Sequence, residues 1–343
     1  MTPIRVSAPT RIADLGGWTD TWFAGHGVVC HLAVWPGVDV TLAPGEGPAG
    51  VEVCLRNFDR EWHWTPGTPP QVCPDPLIGA CLDDAEVPDG AWLLEVGSAV
   101  PPGASMGTSA SVCVAVLAAL DRLRGATLDP ALLARRAHAV ETQRLGQQSG
   151  IQDQWAAAAG GINLITMDAY PHARCESLTV TDDTRRAIEA QLLVVLLARG
   201  HDSSAVHELV VRQLADAGPD DPRLEALRLC AHEGADALRA GDLRGYGAVL
   251  TRNTESQAAL HPSLVNDEAR GIIAAVTGPD TLGVKVNGAG GAGGSLTVLA
   301  TSHEGRARLV ARLTANCPGA RVLDVTLARQ SRDAARSVHV DRP

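Results

Sequence analysis

The 343-residue chain has no apolar run near the roughly 18 residues that a membrane-spanning helix needs. Its start, Met1-Thr-Pro-Ile-Arg-Val, runs into a strand-like segment without the apolar core and small-residue cleavage site of a signal peptide, so the cytoplasm is the expected compartment. Lys285 is the one lysine, and no Gly-Lys-[Ser/Thr] occurs, which excludes a Walker phosphate loop. Eight cysteines include no C-x-x-C, and eleven histidines include no H-x-x-x-H or H-E-x-x-H, so neither a zinc site nor a disulfide framework is expected. Buried free thiols fit a chain long enough to need no cross-links. The net charge of −10 speaks against a nucleic-acid partner or an anionic membrane surface, both of which call for a basic face.

What is present is enough apolar sequence, 45%, for a sizeable core, and a length that suits two domains. Short Val-rich segments at Ile4–Ala8, Gly27–Val34, Val38–Leu42, Val51–Leu55 and Ala91–Val96 read as strands. The Pro- and Asp-rich stretch 58–90 reads as irregular, with a short helix near Leu77–Leu82. Helical periodicity marks Ser109–Arg122, Pro130–Arg144 and Ile151–Ala159, followed by a strand at Ile162–Met167. The second half reads as a buried strand at Gln191–Ala198, three or four helices over 204–276, strands at Leu282–Asn287 and Ser295–Ala300, a helix at 303–314 and a strand at 320–327. The whole is α+β, divided at 1–175 and 176–343, with a polar, loose tail.

The segment Pro101-Pro-Gly-Ala-Ser-Met-Gly-Thr-Ser-Ala-Ser111 runs directly into an apolar helix. Gly103 and Gly107 allow a sharp turn and close approach to a ligand. Thr108, Ser109 and Ser111 can cap the helix, whose N-terminus offers N–H groups and partial positive charge to an anion. An ordinary capped helix after a turn fits these residues equally well. The run Gly288, Gly290, Gly293 is a formal G-x-G-x-x-G, but Ser295-Leu-Thr-Val-Leu-Ala300 after it reads as a strand, so a dinucleotide fold is not expected. Asp153 in Gly150-Ile-Gln-Asp-Gln-Trp155 reads on its own as a first-turn helix carboxylate, and Glu141 as a solvated helix residue.

Taken together, these segments resemble the GHMP kinases, the superfamily of galactokinase, homoserine kinase and mevalonate kinase. The 101–111 segment is similar to their P-x-x-x-G-L-G-S-S-A-S loop, with Met106 for Leu, Thr108 for the first Ser, and Ser105 where Gly is common. Arg11-Ile-Ala-Asp-Leu-Gly-Gly-Trp-Thr-Asp20, just after the first strand, resembles the R-x-x-x-x-G-G-x-x-D of fucokinases and heptose 7-phosphate kinases. Lys285-Val-Asn-Gly-Ala-Gly-Gly-Ala-Gly-Gly294 is similar to K-x-[ST]-G-A-G-G-G-G, with Asn287 and Ala292 as departures, and Gly150–Gln154 resembles G-x-x-D-Q. The resemblance implies a two-domain GHMP kinase fold, ribosomal-S5-domain-2-like then ferredoxin-like. It implies ATP phosphates on Pro102, Gly103, Ala104, Ser105, Met106, Gly107, Thr108, Ser109 and Ala110, and Mg²⁺ shared by Ser109 and Glu141. Asp153 would be the catalytic base and Arg11 its charged neighbour. Gly17, Trp18, Thr19, Asp20, Gly288, Ala289, Gly290 and Gly291 would shape the substrate pocket.

The Gly-Gly-Trp-Thr-Asp form, with the Gly25-His-Gly27 turn after it, looks nearest to kinases of an anomeric hydroxyl. The expected partner is a sugar or sugar phosphate. A heptose 7-phosphate would need a second basic site, for which Arg5, Arg174, Arg199 and Arg252 are candidate sources. The alternatives are a kinase of an unphosphorylated sugar, of fucokinase or galactokinase type, and a non-catalytic sugar or ATP sensor on the same fold. Symmetry base rates make a homodimer the default expectation.

Overall fold

The computed structural model of the chain describes residues 2–126, 129–198, 203–214 and 217–330. The expected polar tail and Arg199 lie outside these described residues.

The first sheet is built on a long hairpin of β1 (Ile4–Leu15) and β2 (Gly27–Pro44), paired antiparallel from Ile4 opposite Leu42 to Leu15 opposite Cys30. Both strands are longer than the sequence suggests. Pro9 and Pro36 look like breaks, but the register shifts between Ala8 and Thr10, so Pro9 and residues 35–37 fall in one bulge where no ladder N–H is required. Arg11 therefore sits inside β1, not after it.

The stretch expected to be irregular holds β4 (Arg60–Trp64), hairpinned to β3 (Gly50–Leu55), and α1 (Pro76–Asp84), which Asp75 caps. β5 (Ala91–Ser98) then runs parallel to β3 and antiparallel to β2. Next come α2 (Thr108–Leu123), α3 (Pro130–Ala139) and α4 (Gln152–Ala159). The expected single helix 130–144 widens after Ala139 into a π-turn, Val140–Arg144, closed by Leu145 N–H donating to the Val140 carbonyl. β6 (Ile162–Ala169) and β7 (His172–Ser177) complete an eight-stranded sheet in the order β4-β3-β5-β2-β6-β7, with β1 and β12 also on β2. β7 has no fully buried face, only exposed residues alternating with half-buried ones, and its short alternation of Ala173 and Cys175 with polar residues gave a weak strand signal.

The rest of the chain runs α5 (Asp182–Gln191), β8 (Leu192–Leu196), α6 (Ser203–Gln213), α7 (Pro222–Ala240), α8 (Leu243–Leu260), α9 (Asp267–Val276), β9 (Thr281–Val286), β10 (Ser295–Ala300), α10 (His303–Asn316), β11 (Arg321–Leu323) and β12 (Thr326–Leu327). β8, β9, β10 and β11 form an antiparallel sheet in the order β11-β8-β10-β9. The expected strand 320–327 is two pieces: β11 pairs with β8, and β12 crosses to β2 of the first sheet.

Residues 27–34 of β2 are buried from both sides, whereas Asp39 beyond the bulge is exposed. One apolar cluster joins Val38 and Val40 to Val116 and Leu117 of α2, and a second joins Cys30 and Leu32 to Ala231 and Ala235 of α7. Burial of both faces explains its nearly continuous apolar run. Among the described residues no helix is long and apolar enough to cross a membrane.

Candidate active site

The start of α2, the start of α4, the middle of β1 and the turn between β9 and β10 enclose a cleft of about 340 Å³, within the range of small-molecule sites. The loop before α2 takes the left-handed conformation at Gly103, Ser105 and Gly107, with φ of 74°, 54° and 71°. Ser105 adopts it without being glycine, at the position where the resemblance places one. Three successive loop carbonyls are turned into the protein. Ala104 accepts from Ser295 Oγ (2.7 Å), Ser105 from Arg11 Nη1 (2.5 Å) and Met106 from the Arg11 backbone N–H (2.9 Å). The Met106 side chain is buried and anchors the loop in the core. With the acceptor side of the loop occupied, its donor side is left for an anion.

No hydroxyl caps α2. Its N-cap is Gly107, and there is no side-chain cap hydrogen bond among the described residues. The capping expected of Thr108, Ser109 and Ser111 does not form because all three lie inside the helix. The Ser111 hydroxyl instead donates to the Pro9 carbonyl (2.7 Å). Thr108, Ser109 and Ala110 line the cleft.

α4 meets the same cleft with the opposite charge. The N–H groups of Ile151 and Gln152 donate to Asp20 Oδ2, at 2.9 and 3.0 Å, across 131 residues of chain. Burial pushes the Asp20 carboxyl up to about 6 although these N–H groups oppose it. Asp153, in the first turn of α4, is held in a fork by Arg11, Nε to Oδ1 at 2.7 Å and Nη2 to Oδ2 at 3.2 Å. Burial works against the Arg11 charge, but Asp153 and then Asp14 more than offset it and hold the guanidinium above its ordinary value. A Cβ on Gly107 would come within 3.0 Å of the Asp153 carboxyl, so a glycine there lets the two helix starts approach.

Glu141 projects from the widened turn after α3 and is buried. It accepts from Ser109 Oγ (3.4 Å), Ser149 Oγ (3.2 Å) and Gln154 Nε2. Burial pushes its carboxyl up to about 7, and the charge of Asp153 adds to the rise. Among the described residues no cluster of three or more His, Cys, Asp or Glu side chains could hold a metal alone. A buried carboxylate beside a hydroxyl fits Mg²⁺, which takes one or two protein oxygens and draws the rest from phosphates and water.

On the fourth side Gly288 and Ala289 line the cleft. Gly290 and Gly291 do not: Gly291 N–H donates to the Leu264 carbonyl, and a Cβ on Gly290 would strike that carbonyl. Trp18 and Asp20 line it, whereas Gly17 and Thr19 stand behind them. The Thr19 hydroxyl donates to the Gly16 carbonyl (2.8 Å) and fastens the turn internally. Pro102 also stays out of the lining.

Several site residues escaped the sequence reading. Gln147, Gln148, Ser149, Gln152 and Gln154 line the cleft; the polar run Gln147-Gln-Ser149 after a helix was the available signal. Asp14, fully buried, accepts the Gly288 N–H. Asn287 takes Ser or Thr's place and uses its amide well: its Oδ1 accepts from Ala13 N–H (3.0 Å) and Thr297 Oγ1 (2.8 Å), which ties β1 to the second sheet.

Residues 78–161 match the GHMP kinases N terminal domain. That domain contributes α2, Glu141 and Asp153 to the cleft, while Arg11 and Asp20 precede it and Gly288 follows it. The chain is 27% identical over 250 residues to a mevalonate kinase of Thermococcus sibiricus, covering 70% of this chain and 69% of that one. It is 24% identical to an L-fucokinase/L-fucose-1-P guanylyltransferase of Bacteroides fragilis, covering 96% of this chain but only 38% of that longer protein. It is 25% identical over 208 residues to a D-glycero-alpha-D-manno-heptose 7-phosphate kinase of Campylobacter jejuni, covering 59% and 60%. The fold is shared with the crystal structure of a D-glycero-D-manno-heptose 1-phosphate kinase from Bacteroides thetaiotaomicron, with a TM-score of 0.70, 18% identity, and coverage of 95% and 96%.

Proposed function

We propose that this chain is a kinase that transfers the γ-phosphoryl group of ATP to a sugar hydroxyl, with the anomeric hydroxyl of a heptose 7-phosphate or a related sugar as acceptor. One observation carries the reading: the uncapped start of α2 and the Arg11-held carboxylate of Asp153 line one cleft, an anion site facing a proton acceptor. In this reading the loop 103–110 cradles the ATP phosphates. Glu141 and Ser109 hold Mg²⁺, which when bound neutralises phosphate charge. Phosphoryl transfer needs alignment and charge stabilisation more than covalent help. Asp153 accepts the proton of the attacking hydroxyl as its oxygen bonds to the γ-phosphorus and the bond to the bridging oxygen breaks, releasing ADP. Arg11 orients Asp153 through its two-pronged hydrogen bond. Asp20, Trp18, Gln152 and Ala289 shape the sugar end.

A second reading, an unphosphorylated sugar such as fucose or galactose, is favoured by the cleft's charge. Arg11 is the only cationic side chain lining it among the described residues, and Asp153 already occupies that side chain. Arg174 pairs with Asp168 and Arg252 with Glu233, and neither lines the cleft; nor does Arg5. ATP consumption with Mg²⁺ against heptose 7-phosphates, L-fucose, galactose, glucuronic acid, homoserine and mevalonate tests both. Turnover on a sugar phosphate alone selects the first reading, and turnover on a free sugar selects the second. Turnover confined to mevalonate or homoserine would sink both, and ATP binding without turnover on any would point to the sensor.

A further inference from the structure

The glycine turn of the cleft is gripped from behind by the chain's one lysine. Lys285 is 1% exposed. Its Nζ donates to Gln257 Oε1 (2.9 Å) and to the Val286 carbonyl, and lies 3.6 Å from Asp14 Oδ1. Gln257 presents its other end to the turn, with Nε2 donating to the Gly288 carbonyl (3.0 Å). Asp14 holds the same residue from the other side, its two oxygens accepting the Gly288 N–H at 3.0 and 3.1 Å. The N–H and the carbonyl of Gly288 are thus each fixed by a side chain that Lys285 itself contacts. Asp14, Gln257 and Lys285 do not line the cleft, whereas Gly288 does. Gly288 also packs against the reacting end: a Cβ there would lie 3.0 Å from the Ser105 carbonyl and 3.2 Å from Arg11 Nη2.

A buried ion pair is expensive, and where only stability is at stake a pair of apolar residues of similar volume serves as well or better. Lys285 is placed for more than pairing, because it is the shared anchor of both grips on one cleft-lining peptide. We propose that Lys285 is a positioning residue that, through Asp14 and Gln257, fixes the Gly288–Ala289 turn against Arg11 and the 103–110 loop. The consequence for turnover rests on the kinase reading above; the fixing of the turn does not.

The test is hydrogen exchange by mass spectrometry on the full chain, following peptides that cover 287–294, with α2 peptides as the internal reference. Lys285→Met leaves Asp14 buried without its partner and can unfold the protein. The decisive variant is therefore Asp14→Asn/Lys285→Met, which removes both charges together and is read against Asp14→Asn alone, so that the direct change at the Asp14 grip is subtracted. We expect it to fold with a thermal midpoint near wild type, yet to exchange about tenfold or more faster over 287–294, as the loss of a charge-assisted hydrogen bond implies. Exchange in α2 stays unchanged, and Lys285→Arg, which keeps the charge, slows exchange back toward wild type. On an accepted sugar the double variant loses kcat and keeps its KM for ATP. A well-folded double variant with wild-type exchange over 287–294 would overturn the proposal. Failure of wild-type protein to turn over any sugar would instead sink the kinase reading, and the exchange result would still judge Lys285.

Discussion

Two helices begin at the cleft, and they are finished in opposite ways. α2 starts at a glycine with no side-chain cap, so its first-turn N–H groups are available to a ligand. α4 starts under the Asp20 carboxylate, which takes the N–H groups of Ile151 and Gln152, and it carries Asp153 in its first turn. The same local field, positive at a helix N-terminus, is left open in one case and used up by the chain's own acids in the other. Under the proposed function the difference assigns the two ends: an open end for a phosphate donor, an acid-loaded end for the acceptor and its proton. The two glycine runs repeat the lesson. The 103–107 loop has its carbonyls turned inward, while the 288–291 turn spends Gly288 N–H, Gly288 carbonyl and Gly291 N–H on Asp14, Gln257 and Leu264. Glycine content does not make a phosphate site; the hydrogen bonds already made decide it.

The comparison can be broken most severely at Asp153. Asp153→Asn keeps the shape of the acid-loaded end and removes its base, so kcat should fall about 10²-fold or more while ATP affinity holds, as steady-state rates and calorimetry would show. Loading the open end is next. Thr108→Asp places a carboxylate in the first turn of α2, which should weaken ATP binding about tenfold, or ~1.4 kcal/mol. The same change should leave the ligand-free helix no less stable, since an acid there gains roughly 0.3–1 kcal/mol. Unchanged ATP affinity in that variant would place the phosphates elsewhere.

Opening the closed end has a smaller effect. Asp20→Ala should cost about 1 kcal/mol of folding stability in a denaturant titration, and Asp20→Asn, which keeps one acceptor, less. A separate effect is in proton linkage. In the metal-free protein burial raises Glu141 from 4.5 to about 7 and Asp20 from 3.8 to about 6. The folded state then holds these protons more tightly than the unfolded chain. The stability they give is full below the ordinary carboxylate values and is lost as pH rises through about 6 to 7. Thermal midpoints taken across that range should decline less steeply in Glu141→Gln, and that variant should need more Mg²⁺ for turnover.

Much of this arrangement was legible in the sequence where one segment carries its own signal. The 101–111 loop before an apolar helix, and the order of Arg11, Asp20, Asp153 and Gly288 along the chain, needed no structure to stand out. What was not legible depends on partners far apart in the chain. That Asp20 caps a helix 131 residues away is invisible in Gly-Gly-Trp-Thr-Asp20, and so is the inversion that left Thr108 and Ser111 as helix residues under a glycine cap. Asp14 and Gln257 read as unremarkable polar residues until the β9–β10 turn is folded over them. Among the elements, the prolines at 9 and 36 were misread because a bulge absorbs both, and β7 because its alternation rests on two small apolar residues, Ala173 and Cys175, too few to mark a strand.

In the proposed function the open end of α2 delivers a phosphoryl group to a hydroxyl activated at the acid-loaded end of α4. Phosphorus NMR of the protein with ATP, Mg²⁺ and an accepted sugar follows that transfer directly. The γ-phosphate resonance should be replaced one for one by a sugar phosphate resonance with wild-type protein, and should persist with Asp153→Asn although ATP remains bound. Release of inorganic phosphate regardless of the sugar, or wild-type transfer by Asp153→Asn, would contradict it.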